Sequence, residues 1–179
     1  GTLTYIDPNT KLFGALGHEI IEKNTGKILE VKDGKIVSFN EVEGAVELDD
    51  KYIVVPGFID KHVHGGNNSD GMYSSLEDAK NISKTIAKEG VTSYLITTMT
   101  QSKENITAAL VNAKEFIDTY NYEGAKPIGI HLEGPFISKD KCGAHNQKFI
   151  IPLNEEFLNW LKKNTTCKIM FTFAPEVAN

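Results

Sequence analysis

Pro56-Gly57-Phe58-Ile59-Asp60-Lys61-His62-Val63-His64 closes an apolar run that begins at Ile53, and Gly129-Ile130-His131-Leu132-Glu133-Gly134-Pro135-Phe136 closes a second one further along the chain. Alternate side chains of a strand point to one face, so His62 and His64 leave the first strand together, and Glu133 leaves the end of its own strand in the same way. Three potential metal ligands therefore stand where strands stop. Parallel barrels carry their catalytic groups at the C-terminal ends of the strands, and this placement decides how the rest of the chain is read.

Outward from these two runs, strands alternate with helices. Ile53 to His64 reads as a strand and Leu76 to Glu89 as a helix with Leu76, Ala79, Ile82 and Ile86 on one stripe. Ser75 with Asp78 supplies a capping box for that helix, and Gly90 supplies its stop. Val91 to Thr98 is the next strand. Lys103 to Tyr120 is the next helix, capped by Ser102, with Ile106, Leu110 and Ile117 facing inward. Then come the strand Pro127 to Glu133, a helix after Asn154 with Glu155 and Glu156 in its first turn, and the strand Lys168 to Ala174. Met170, Phe171 and Phe173 are expected in the core, and Trp160 is expected to pack its helix. Such alternation means an α/β fold with a parallel sheet and right-handed crossovers. A (β/α)8 barrel of the TIM type takes about 250 residues, so residues 56–179 are expected to form its first half.

Residues 1–55 have a different texture. Lys27-Ile28-Leu29-Glu30-Val31 and Lys35-Ile36-Val37-Ser38-Phe39 flank Lys32-Asp33-Gly34, a strong hairpin signal. Such a small all-β segment is marginal alone and needs something larger to lean on. No internal repeat or low-complexity stretch is present.

Composition narrows the partners. A net charge of -5 with 19 scattered basic residues, all Lys, offers no basic patch for nucleic acid. No apolar stretch approaches the roughly 20 residues that cross a bilayer, and no leader pattern opens the chain, so a cytoplasmic protein is expected. Cys142 and Cys167 lack companions at metal-clip spacing and read as free thiols.

His-x-His alone is a weak signal; its place at a strand end, opening into Gly65-Gly66-Asn67-Asn68, strengthens it, and that loop is expected to be flexible. Asp60 either orients one imidazole or makes an ordinary buried hydrogen bond. Glu133 ends an apolar run, and a carboxylate there is costly to bury unless paired or coordinated. His131 lies deeper and reads as structural. Lys139 and Lys141 either lend positive charge to a phosphate or are simply solvated.

The two opening strings, with Gly143-Ala144-His145-Asn146 and Ala174-Pro175-Glu176 in the same order, resemble the amidohydrolase superfamily and, within it, the N-acetylglucosamine-6-phosphate deacetylases, over about the first half of such an enzyme. The resemblance implies a small β-sandwich segment before the barrel and Glu133 as a metal ligand, with His62 and His64 available to the same site. It implies that Ala144 and His145 contact the amino-sugar phosphate substrate. It further implies a divalent metal, zinc or iron, as one or two ions, a homodimer, and hydrolysis of the acetamide to acetate and glucosamine 6-phosphate. The remaining histidine ligands and the proton-transferring Asp are expected beyond the chain end, which would leave these residues inactive alone. Two other readings stand beside this one. One is an amidohydrolase of cyclic amides, many of which use a modified Lys on the fourth strand, where this chain offers only Lys168. The other is a non-catalytic fragment that serves binding or assembly.

Overall fold

The computed structural model describes residues 2–6, 12–16, 20–22, 27–32, 35–38, 46–47, 53–54, 56–73, 75–121 and 123–177. The chain divides into two compact units, Gly1–Ile59 with Ile86–Thr92 and Asp60–Thr85 with Ser93–Asn179.

The first unit is built from strands β1 (Thr2–Ile6), β2 (Leu12–Leu16), β3 (Ile20–Glu22), β4 (Lys27–Lys32), β5 (Lys35–Ser38), β6 (Val46–Glu47) and β7 (Ile53–Val54). They form two sheets, in the orders β1-β2-β7 and β5-β4-β3-β6. β4 and β5 pair antiparallel with Lys32 opposite Lys35, as the hairpin reading requires. Asp33 and Gly34, the expected turn, lie outside the described residues, as does Phe39.

From Phe58 onward, mostly in the second unit, the strands alternate with helices: β8 (Phe58–Val63), β9 (Gly65–Gly66), β10 (Ser69–Asp70), α1 (Leu76–Ala87), β11 (Val91–Thr98), α2 (Lys103–Asp118), β12 (Lys126–Glu133), α3 (Glu155–Asn164) and β13 (Ile169–Thr172). The main sheet runs β13-β12-β11-β8, so each long strand lies beside the next one along the chain. β11 pairs parallel with β12, placing Thr97 beside His131, and β12 pairs parallel with β13, placing Glu133 beside Thr172. The sheet curls into half of a barrel. Each crossover is a helix, as parallel neighbours demand.

The caps agree with the sequence. The Ser75 hydroxyl accepts the Asp78 N–H while the Asp78 carboxylate accepts the Ser75 N–H, a reciprocal capping box. Ser102 caps α2 through the Asn105 N–H, and Asn154 caps α3 through the Phe157 N–H. α1 ends at Ala87 rather than Glu89, and Gly90 comes soon after with φ +83°.

The core of this unit lies between sheet and helices. Ile82, Ile106, Leu110, Phe116, Ile130, Leu132, Phe157 and Leu161 are buried. β12 is buried on both faces from Gly129 to Leu132, as a central parallel strand should be. Several expectations shift. Leu76 is exposed because it opens α1 rather than facing the sheet. In α2 Phe116, not Ile117, takes the inward position that continues Ile106, Leu110 and Ala113. Phe171 and Phe173 are exposed rather than core, since β13 is an edge of the four-stranded sheet and one side of it has no neighbouring strand among the described residues. No helix of the described residues is long and apolar enough to cross a membrane.

Ile106 is fully buried where α2 meets the sheet, so Ile106→Ala leaves a cavity that close-packed neighbours fill only partly. Denaturant unfolding is expected to show a loss of about 2–5 kcal/mol. A loss under about 1 kcal/mol would mean that this helix face is not packed as described.

Candidate metal centre

The end of β8 is fastened on every side. The Asp60 carboxylate accepts the His62 N–H at 2.9 Å, and the Thr97 hydroxyl accepts the Val63 N–H at 3.0 Å. The His64 carbonyl accepts the Gly71 N–H at 2.6 Å. Asp60 therefore hydrogen-bonds the backbone of His62, and this bond is exposed rather than buried. Gly65-Gly66-Asn67-Asn68 is not a flexible loop. β9 and β10 pair as a tight hairpin turning at Asn67 and Asn68, whose φ of 50° and 62° suit a type I′ turn. The Asn81 side chain, on α1, accepts from the Asn67 amide and donates to the Asn67 carbonyl and the Ser69 hydroxyl.

Held this way, His62 and His64 put their rings 4.9 Å apart at nearly right angles. Glu133 reaches them from the end of β12. Its Oε2 lies 3.0 Å from His64 Nε2, 3.5 Å from His145 Nε2 and 3.8 Å from His62 Nε2. The structure thus brings together all three residues singled out as ligands: one donor atom from each of His62, His64 and Glu133 lies within 4.8 Å of the others. His64 Nδ1 is buried without a hydrogen-bond partner among the described residues, an orphan that a ligand would satisfy. Two imidazoles with one carboxylate are a donor set suited to zinc or iron.

The turn at Gly134 aims Glu133. Gly134 has φ +80°, and a Cβ built there would run into Thr100 Oγ1. Only glycine lets the chain leave the strand against Thr100, before the cis Gly134–Pro135 bond. The Thr100 N–H in turn donates to His145 Nδ1 at 3.3 Å. With Nδ1 accepting, the neutral ring carries its proton on Nε2, the atom directed at Glu133.

Ala144 and His145 line a cavity of about 590 Å³ together with His64, Glu133, Met99 and Thr172. The expected substrate residues and two of the expected ligands therefore share one space. Lys141 lines it too, whereas Lys139 faces a separate cavity of about 340 Å³. Cys142 and Cys167 are free thiols. Lys168, the candidate metal bridge of the cyclic-amide reading, stands at the other end of the strands. Its carbonyl accepts the Ile130 N–H, while Glu133 is level with Thr172.

His131 is buried, and burial holds its imidazole below the usual histidine range, favouring the neutral form. Its Nδ1 is 3.0 Å from the Lys61 carbonyl and its Nε2 is 2.7 Å from the Thr172 hydroxyl. Thr100 and Thr172, which pair with these histidines, and Thr97, which accepts the Val63 N–H between His62 and His64, escaped the sequence reading. The only trace of them is a threonine inside or just after an apolar run, which is common in any strand.

A family model described as SpoIVB peptidase S55 matches residues 1–113. That stretch stops before Glu133 and His145. The other similarities are to deacetylases. The N-acetylglucosamine-6-phosphate deacetylase of Bacillus subtilis (strain 168) is 40% identical over 127 residues, 69% of this chain and 32% of its own length. The crystal structure of the enzyme of that name from Thermotoga maritima is 33% identical with a TM-score of 0.66, over 91% of this chain and 42% of its own. The one from Pasteurella multocida is 26% identical with a TM-score of 0.75, over 89% and 45%. The chain spans 31% to 41% of the length of the curated relatives it matches.

Gly134→Ala should strain the turn after Glu133, through its positive φ and through Thr100. Unfolding measurements are expected to show a loss of about 1–3 kcal/mol. A variant as stable as the parent would mean that Thr100 gives way freely and does not set the turn.

Proposed function

The chain belongs to the N-acetylglucosamine-6-phosphate deacetylase family, and from that premise we propose that the whole protein hydrolyses the acetamide of N-acetylglucosamine 6-phosphate, using a divalent metal held by His62, His64 and Glu133. The products are acetate and glucosamine 6-phosphate. One observation carries the reading: a mostly buried carboxylate meets three imidazoles at the C-terminal end of a parallel sheet, on a cavity wide enough for a sugar phosphate.

Bound there, a divalent cation, zinc or iron, supplies Lewis acidity toward the acetamide carbonyl and a water of lowered pKa. Glu133 balances the charge, and His62 and His64 contribute neutral nitrogen donors. His145, its Nδ1 engaged by Thr100, offers an Nε2–H to a substrate oxygen, and Ala144 places backbone against the same sugar. The proton-transferring Asp and the remaining histidines come from the later barrel strands, so residues 1–179 by themselves are inactive in this reading. It also takes the protein as a cytoplasmic homodimer, with residues 1–55 as a small β-sandwich and a barrel starting at residue 56. The cyclic-amide alternative loses its support from Lys168, which stands at the wrong end of β13.

Glu133→Gln in the full-length protein tests the assignment, because a neutral amide keeps the shape and loses the balancing charge. Metal per protomer by elemental analysis is expected to fall well below the parent's after dialysis, and acetate release to fall about 100-fold or more. Parent-like metal content and turnover would remove Glu133 from the ligand set.

A further inference from the structure

We propose that His131 is a positioning residue for the metal-binding histidines: its imidazole reaches across β11 and fixes the backbone of β8 beside His62. This deepens the metal-site reading above and rests on it. β12 and β8 are not neighbours, since β11 lies between them. His131 nevertheless meets the Lys61 carbonyl at 3.0 Å. The passage is open because its partner across the ladder is Thr97, a short side chain that is itself fully buried. Thr97 accepts the N–H of Val63. The peptide groups on both sides of His62 are therefore held by side chains from two other strands. The His131 and His62 rings also touch, their centroids 4.9 Å apart at 71°.

The hydrogen bonds fix the tautomer. A carbonyl only accepts, so His131 Nδ1 carries the proton and donates to Lys61. His131 Nε2 pairs with the Thr172 hydroxyl at 2.7 Å. Both nitrogens are satisfied within the protein and neither is free for a ligand. Buried, saturated and braced between β8 and β13, the ring can hold His62 in place without competing for the cation.

The test uses the full-length protein, freed of metal and titrated with Co²⁺, whose visible absorption reports coordination geometry. His131→Phe keeps a ring against His62 and removes the bond to Lys61; it is expected to weaken Co²⁺ binding about tenfold and alter the spectrum. His131→Asn places an amide N–H where Nδ1 stood and should recover affinity to within about threefold of the parent. Parent-like affinity and spectrum in His131→Phe would overturn the inference, as would His131→Asn binding no better than His131→Phe. Nitrogen-15 spectra of the metal-free parent give a readout that does not depend on metal: His131 should show the Nδ1–H tautomer, and the Nε2–H tautomer would contradict the brace. A parent protein that takes up no Co²⁺ would overturn the metal site and the inference together, whatever the tautomer.

Discussion

The fold is organised around one carboxylate. Glu133 ends a strand buried on both faces, its side chain is 18% exposed, and a charge so placed must be balanced or neutralised. The protein meets that constraint with imidazoles rather than with Lys or Arg. His64, His145 and His62 all present Nε2 to the same oxygen. These rings serve as hydrogen-bond donors or as metal ligands according to where their protons lie. A lysine would have made a permanent ion pair and closed the site to a cation. The histidines leave it open, and His64 Nδ1, without a partner among the described residues, is where a ligand would complete the site.

Around that centre the backbone is held in place by small, specific contacts. The hairpin at Asn67 and Asn68 pins the His64 carbonyl through Gly71, and Asn81 ties the hairpin to α1. Gly134 permits the approach of Thr100, and Thr100 orients His145. Each of these contacts sets the direction of a side chain more than it adds stability. Preorganisation of this kind lets a site bind a cation without rearranging first.

Much of this was legible in the sequence. Period-3.6 stripes, Ser and Asn caps and strand-end glycines set out α1, α2, α3 and the strands between them, because each signal has a local physical cause. The convergence of His62, His64 and Glu133 was legible too, since strand ends in a parallel sheet meet at one rim. The rest depends on neighbours that are distant in sequence. Phe171 and Phe173 read as core because an apolar strand says nothing about whether it is an edge. Gly65-Gly66-Asn67-Asn68 read as loose, although two asparagines tolerant of positive φ suit a tight turn equally well. The threonines that hold the histidines have no local signature, for a hydroxyl in a strand gains its role only from what folds opposite it.

The central claim is that Glu133 and the two β8 histidines hold one divalent cation. Diffraction from zinc-soaked crystals of the full-length protein, recorded on both sides of the zinc edge, tests it directly. Such crystals should give an anomalous peak about 2.0–2.2 Å from a Glu133 carboxylate oxygen and from one nitrogen of each of His62 and His64. A peak that leaves Glu133 unligated, or an empty rim with zinc bound elsewhere, would contradict it.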